Sequence, residues 1–217
     1  MRRSVLYSLI ATIVLLPMLG VFVVRTLLDA GTTKPSLASG PSAGTYRGSE
    51  PSRGLFVPDI SLKSYQGNVV RMRSLRGKVV LVTFLDTDCK TKCPLIASVV
   101  GDALRLLSSS DRRQVAPLGV TVNPASDTPA SVRKFLRQRR ALGLDFLLGS
   151  VRQMRPVWRA FHVVSAAETG DADIHSADVR VYDRTGEWVS TLHLPPDLTA
   201  RNLAHDMRVA LGADSRD

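Results

Sequence analysis

The sequence predicts an α/β fold of the thioredoxin type, and three observations indicate it. Two apolar runs, KVVLVTF at 78–84 and VAPLGVTV at 115–122, have the continuous hydrophobicity of strands buried on both faces of a sheet. Each run precedes a segment with helical spacing of its apolar residues. Near the C-terminus, IHSADVRVYD at 174–183 and WVSTLHL at 188–194 flank a glycine-containing turn and predict a hairpin. A βαβ unit followed by a hairpin and a final helix is the thioredoxin-like order of elements.

The first elements are two short extended segments and a helix. FVPDISL at 56–62 and VVRMRSL at 69–75 are extended segments around a turn at Gln66-Gly67. After the first buried run, residues 94–107 predict a helix, because apolar side chains recur there at helical spacing. That predicted apolar face comprises Leu95, Val99, Ala103 and Leu106.

Three more elements are expected before the hairpin, and one after it. A second helix is predicted over 127–142, with Asp127 as its N-cap. Residues 151–163 predict a helix that breaks near Pro156, since proline removes a backbone donor. The other two are a short strand or turn at 145–149 and a closing helix over 199–212.

The chain divides into three predicted parts. Residues 4–24 carry no charged side chain, and about 20 such residues cross a bilayer as a helix. We therefore expect a membrane anchor, or an uncleaved signal, over 1–28, with the soluble part on the extracytoplasmic (periplasmic or extracellular) side because Arg2 and Arg3 precede the run. Residues 29–53 are rich in Gly, Ser, Pro and Thr and are interpreted as a flexible linker, which leaves 54–217 as the folded domain.

Composition excludes several classes of protein. A hydrophobic content of 44% and a charged content of 22% are those of a globular chain. The net charge of +10 is mixed in sign along the domain and lacks the basic and aromatic runs of a nucleic-acid surface, so no nucleic-acid partner is expected. Basic residues crowd the helix at 127–142, where they form either a solvated face or a docking face for an acidic partner or anionic lipid headgroups.

The chain's two cysteines, Cys89 and Cys93, lie where a buried strand ends and a helix begins. Helix N-terminal amides lower the pKa of a thiol, and the neighbouring cations Lys90 and Lys92 act in the same direction. The C-x3-C spacing leaves two chemistries open, a redox-active disulfide or a soft-metal site. Because two thiolates leave a coordination position open, the metal interpretation requires a further ligand.

Four histidines are candidates for that ligand. The residue patterns favour packing for His193, a solvated helix face for His205 and a helix-end charge for His162. His175 differs, because it begins a strand after the polar loop SAAETGDAD, which could fold over the cysteine end of the sheet.

Four segments resemble the Sco/SenC family of thioredoxin-like copper-binding proteins, in order and approximate spacing. They are YRGSEPSRGLFVPDISL, LRGKVVLVTFLDTDCKTKCPLIA, VTVNPASDTPASVRKFL and IHSADVRVYDRTGEW. The resemblance implies one copper ion, Cu(I) or Cu(II), bound by Cys89, Cys93 and His175. It also implies a membrane-anchored assembly factor whose partner is the cytochrome oxidase subunit that carries the copper centre, or another copper-accepting protein.

The sequence departs from that family in three places. The family has Pro-Asp-Val between its cysteines, where this chain has Lys90, Thr91 and Lys92. Asn123 replaces an aspartate, and charged Asp178 and Arg180 replace apolar residues on one face of a strand, where they could pair. These changes bear on partner identity more than on metal binding, since all three implied ligands are present.

Two functions follow from these residues. The first is a membrane-tethered copper chaperone and assembly factor; the alternative is a thiol–disulfide oxidoreductase that acts on partner cysteines through Cys89 and Cys93. The sequence shows no convincing environment for a thiol peroxidase. Replacement of His175 by alanine distinguishes the two functions, because only copper binding needs the imidazole.

Overall fold

The computed structural model describes residues 45–212, which form a seven-stranded sheet in the order β2-β1-β5-β4-β3-β6-β7. Strands β3, β4 and β5 are parallel, and the other neighbouring pairs are antiparallel. The strands are β1 (Ser61–Ser64), β2 (Val69–Arg71), β3 (Val79–Leu85), β4 (Val115–Thr121), β5 (Asp145–Leu148), β6 (Asp178–Tyr182) and β7 (Trp188–His193). The predicted α/β class and the hairpin β6–β7 are confirmed.

Helices cover both faces of the sheet. The described helices are α1 (Lys92–Leu106), α2 (Ser109–Arg113), α3 (Pro129–Gln138), α4 (Val151–Ala160), α5 (Ala166–Thr169) and α6 (Ala200–Leu211), with a 3-10 turn at Met72–Leu75. Helices α1, α3 and α6 contribute to one hydrophobic core, and α4 contributes to the core on the opposite face.

Strand β3 is buried along its whole length, as its unbroken apolar run predicts. Its side chains alternate between the two cores: Val79, Leu81 and Leu85 face one, and Val80, Val82 and Phe84 face the other. A strand with helices on both faces needs apolar residues at every position. The segment that follows Leu85 therefore starts from a strand that is packed on both faces.

The sheet order brings two distant loops to one edge. The loop that carries both cysteines follows the C-terminal end of β3. Strand β6 pairs antiparallel with β3, with Thr83 opposite Val179, so the segment that precedes β6 lies beside the segment that follows β3. Residues around 89 and around 175 therefore meet although they are far apart in sequence.

The packed domain begins upstream of residue 54, inside the segment interpreted as a linker. The backbone N–H groups of Arg47 and Gly48 donate to the carboxylate of Asp206 on α6, at 2.7 and 3.0 Å. Ser49 pairs with Thr191 of β7 in an isolated bridge. Asp206 is fully buried and also accepts from the Ser190 hydroxyl at 2.6 Å, so these residues are held by a buried acceptor that local composition does not reveal.

Two helix predictions were wrong in detail. Helix α4 is continuous through Pro156. Proline in the second turn removes only the hydrogen bond to the carbonyl of exposed Arg152, while a capping box at Ser150 and Gln153 fixes the start of the helix. Helix α3 is capped by the side chain of Thr128, not by Asp127.

The buried face of α1 also differs from the predicted one. Leu95 and Leu106 are exposed, at 58% and 49%, whereas the helix buries Ile96, Ala97 and Val100 in their place. Gly101 faces the backbone of residue 140 so closely that a Cβ atom there would lie 2.6 Å from the Arg140 carbonyl oxygen. The helix face that contains Gly101 is therefore the one that packs inward, because only glycine leaves room for that backbone.

The predicted membrane anchor over 1–28 lies outside the described residues. Within 45–212, no helix combines the length and apolar character that a bilayer crossing requires.

Candidate metal centre

Cys89 lies in the loop that joins β3 to α1, and Cys93 lies just after it. Cys93 is in the first turn of α1, and its backbone N–H donates to Cys89 Sγ at 3.3 Å. The N–H of Asp86 donates to Cys93 Sγ at 3.4 Å. Both side chains are buried, with 2% and 0% exposure, and both are free thiols. Amide donors directed at sulfur favour the thiolate form.

His175 lies beside the two sulfurs, just before β6. Its Nε2 is 3.1 Å from Cys93 Sγ, although 82 positions separate the residues, and the imidazole is 9% exposed. Its Nδ1 lies 2.7 Å from the Ser176 carbonyl oxygen, which can only accept, so Nδ1 carries the proton when the ring is neutral. The lone pair of Nε2 then faces the sulfurs, which is the arrangement that metal-binding histidines adopt.

The three predicted residues therefore form one cluster. Cys89, Cys93 and His175 each offer one ligand atom, and these atoms lie within 4.8 Å of one another. Thiolate and imidazole groups are ligands that Cu(I) and zinc accept. Two sulfurs and one nitrogen at this separation fit a single soft ion.

The thiols of the cluster have opposite acidities. The hydrogen bond from Cys93 lowers the pKa of Cys89 to about 4, and a contact with His175 acts in the same direction. The same interaction with Cys89, together with burial, raises the pKa of Cys93 well above its ordinary range. In the metal-free reduced protein, the pair therefore shares one proton, held on Cys93.

Burial opposes the charged form of His175, but its contacts with Cys89 and with the Ser176 carbonyl outweigh burial and raise its pKa. An ion that binds all three residues must displace the proton of Cys93 and any proton on His175. The affinity of the site for a metal therefore falls as the pH falls.

Asp173 joins the cysteine loop to the histidine loop, and the sequence interpretation missed it. Its Oδ1 accepts from the Thr91 hydroxyl at 2.7 Å and from the Lys90 backbone N–H at 3.2 Å. These donors, Thr91 foremost, lower the pKa of Asp173. The only sequence signal was the predicted fold of SAAETGDAD over the cysteines, which the structure confirms.

Asp86 and Asp127 form a separate carboxylate cluster behind the cysteine turn. Asp86 is fully buried and accepts from the Asp88 N–H, the Asn123 side-chain amide and the Ser126 hydroxyl, at 2.8 to 3.0 Å. Asp127 accepts from the Thr87 N–H and the Thr121 hydroxyl. Asn123, which departs from the family pattern, is thus one of the donors that hold Asp86.

The remaining candidate residues lie outside the cluster. The side chains of Lys90 and Lys92 are exposed, and so are those of His162 and His193. Packing for His193 was therefore a wrong expectation, because β7 ends at this residue on the exposed side. His205 contacts Asp206 on α6.

The expected pairing of Asp178 with Arg180 is confirmed. Arg180 Nε is 2.6 Å from Asp178 Oδ2, and both side chains are buried. The guanidinium also donates to the Phe161 carbonyl oxygen and lies over the ring of Trp188. Each charge that departs from the family pattern on this strand therefore has a partner inside the domain.

Comparison with known proteins identifies one family to which the sequence is similar. The family model SCO1/SenC matches residues 49–211. An SCO2-like protein of Rickettsia prowazekii is 24% identical over 192 residues, which are 86% of this chain and 89% of the relative. The mitochondrial SCO2 homologue of Bos taurus is 32% identical over 118 residues, 53% of this chain and 43% of that protein.

Solved structures agree on the fold. The structure of Bradyrhizobium japonicum ScoI with copper bound is 27% identical, with a TM-score of 0.61, and the match covers 72% of this chain and 100% of that one. Yeast Sco1 with copper bound is 22% identical, with a TM-score of 0.58, over 77% of this chain and 97% of that one. The thioredoxin-like Sco fold is confirmed, and the expected copper is supported by the Cys-Cys-His cluster together with the copper in the ScoI structure. The chain belongs to the SCO1/SenC family.

Proposed function

We propose that this protein is a membrane-tethered copper chaperone, which binds one copper ion through Cys89, Cys93 and His175 and passes it to the copper centre of a respiratory cytochrome oxidase or to another copper-accepting protein. The domain works on the extracytoplasmic side, tethered by residues 1–28. The observation that carries the proposal is the convergence of two thiol sulfurs and one imidazole nitrogen within 4.8 Å. The copper-bound ScoI structure supports copper as the cargo.

The site's chemistry suits a carrier. Two thiolates and a neutral imidazole around Cu(I) carry a net charge of −1, and the fixed tautomer of His175 keeps Nε2 available. Because the thiolates are the ligands, oxidation of the metal-free pair to the Cys89–Cys93 disulfide removes both sulfur ligands; it passes two electrons to an oxidant such as a partner disulfide and releases the one proton that the pair holds. Copper loading is therefore coupled to the redox state of the pair.

A copper titration of the reduced protein tests the proposal. We expect one Cu(I) per chain, and we expect the loss of any one of the three residues (Cys89→Ser, Cys93→Ser or His175→Ala) to weaken binding by more than about a hundredfold, since even indirect partners of metal ligands are worth 10- to 100-fold. The matched control is His193→Ala, which removes an exposed imidazole outside the cluster. Full-stoichiometry, tight binding by all three cluster variants would contradict the proposal.

One observation favours a second function, thiol–disulfide exchange. A pKa of about 4 keeps Cys89 as the thiolate, the form that attacks a disulfide. Cys89 would form a mixed disulfide with one partner sulfur and release the other as a thiolate; Cys93 would then displace the bound partner, leaving the chain oxidised and the partner reduced. In this function His175→Ala changes exchange rates far less than Cys89→Ser does, whereas both abolish copper binding.

A further inference from the structure

A charged cavity of about 300 Å³ lies beside the cysteine turn. One wall is the turn itself, including Cys89 and Lys90, and the other is α3 with the residues that follow it, including Lys134, Phe135 and Arg139. The cavity is on the side of Cys89 that faces α3. It therefore lies beside the metal cluster, with which it shares Cys89, while its charged side chains lie outside that cluster.

The charges that line the cavity are mostly positive. Lys90, Lys134 and Arg139 line it, and Asp88 is the one carboxylate among the described lining residues. Within residues 45–212, none of the three cations has a carboxylate at ion-pair distance. Three cations thus line one concavity, and none of them forms an ion pair within the described part of the chain.

Arg139 shows in addition that a hydrogen-bond acceptor is missing. Its Nε is buried, and no acceptor in the described part of the chain pairs with it. Buried nitrogen donors in folded proteins almost always have a partner. Arg139 also lines the cavity, and a carboxylate that enters the cavity can neutralise its guanidinium.

We infer that this cavity binds the carboxylate side chains of an acidic segment on the protein that exchanges copper with this chain. The inference rests on the proposed function and adds the chemistry of the partner. A concave site of this volume accommodates one or two carboxylates, whereas a flat lipid surface would meet the exposed positions of α3 that lie outside the cavity, Arg133 and Arg137. A carboxylate held here places the partner's acidic segment beside Cys89, where copper enters or leaves.

Peptide binding to the reduced, copper-free full-length chain in neutral detergent micelles tests the inference. The probe is a fluorescein-labelled peptide rich in Asp and Glu, and its comparison is the same peptide with Asn and Gln. We expect the double variant Lys134→Gln/Arg139→Gln to bind the acidic peptide about tenfold more weakly, a loss of about 1.4 kcal/mol, because it removes two of the three positive charges that line the cavity. The neutral peptide should bind weakly to every form.

The matched control is Arg133→Gln/Arg137→Gln, which removes the same charge from exposed positions of α3 outside the cavity. This pair should change acidic-peptide affinity by no more than about twofold, the size of an exposed charge effect. If both double variants lost acidic-peptide affinity equally, the peptide would be attracted to the basic helix in general, and the inference would be overturned. Cavity variants that bind the acidic peptide as wild type does would also overturn it.

Two further measurements complete the test. Anionic phosphatidylglycerol vesicles should bind both double variants to the same extent; vesicle binding lost only in the cavity pair would assign the site to lipid and overturn the inference. Cu(I) stoichiometry should remain at the wild-type value in both pairs, which shows that the domain is folded. Failure of the wild type to bind copper refutes the proposed function, and it is read independently of the peptide result.

Discussion

Two polar clusters lie at the same end of strand β3, and they differ in what their atoms need. In the carboxylate cluster, the oxygens of Asp86 and Asp127 accept hydrogen bonds from backbone, amide and hydroxyl donors of the domain. In the sulfur–imidazole cluster, the two sulfurs share one proton, held on Cys93, and His175 Nε2 lies 3.1 Å from Cys93 Sγ. Both clusters are buried next to the same turn.

The difference separates a structural cluster from a binding site. Buried acceptors that are matched by donors of the chain are satisfied and need no ligand. The three ligand atoms of the sulfur–imidazole cluster can instead bind a cation, which replaces the one proton that the two sulfurs share. Asp86 directly follows β3, and its three donors assign it to the fold.

Among the variants that test this comparison, Asp86→Ala is expected to have the largest effect on stability. The change leaves three donors without an acceptor in or near the cysteine turn, which should lower the free energy of unfolding by about 2 to 4 kcal/mol. Urea unfolding of the reduced, copper-free protein measures it. Asp88→Ala is the control, because its exposed side chain should be worth less than about 0.5 kcal/mol. Copper stoichiometry should stay unchanged; its loss at undiminished stability would make Asp86 a ligand.

A smaller effect is expected from the titration of Asp127. Burial raises the pKa of Asp127 from 3.8 to about 6, so between these values the folded protein binds more protons than the unfolded chain. The contribution of this group to stability therefore falls as the pH rises from about 4 to about 6, by about 2 to 3 kcal/mol in total.

Asp127→Asn removes that titration. The difference in unfolding free energy between wild type and Asp127→Asn should shift in favour of the variant as the pH rises across the window. Denaturant unfolding at several pH values measures the difference, in which all shared groups cancel. A difference that does not change with pH would show that the carboxylate is ionised in the folded protein at no cost.

The smallest effect is expected for Asp173, which links the loops of the sulfur–imidazole cluster. Asp173→Ala removes two exposed hydrogen bonds, and we expect copper affinity to fall by roughly fivefold, because the two loops must then be ordered by the metal alone. Competition with a Cu(I) chelator measures it. Asp173→Asn keeps an acceptor oxygen and should restore most of the affinity; an Asn variant as weak as Ala would mean that charge, not position, matters.

Much of the fold could be predicted because local patterns encode it. The unbroken apolar run of β3, the turn at Arg184-Thr185-Gly186 and the helix stop at Gly212 each depend on a few neighbouring residues, and each is confirmed. The buried face of α1 was predicted only in part: Ala103 is buried, but Leu95 and Leu106 are exposed, since apolar residues occur on more than one side of that helix. Contact with the backbone at Arg140 decides which side is buried.

The candidate site divides in the same way. Strand end, C-x3-C spacing and helix start place Cys89 and Cys93 together from the sequence alone, because a single turn connects them. His175 entered as a ligand through family resemblance, and only the antiparallel pairing of β6 with β3 brings it to the sulfurs. The partners of Asp173 and Asp206 could not be assigned from the sequence, since each partner lies in another part of the chain.

By itself, then, the amino-acid sequence determined the α/β class, the buried central strands and a pair of thiols at a helix start, because these depend on contacts between near neighbours. Only the tertiary structure decided which imidazole faces the thiols, which carboxylates belong to the fold, and where unpaired cations surround a cavity. Those arrangements are set by the order of strands in the sheet, and that order results from burial of the whole core.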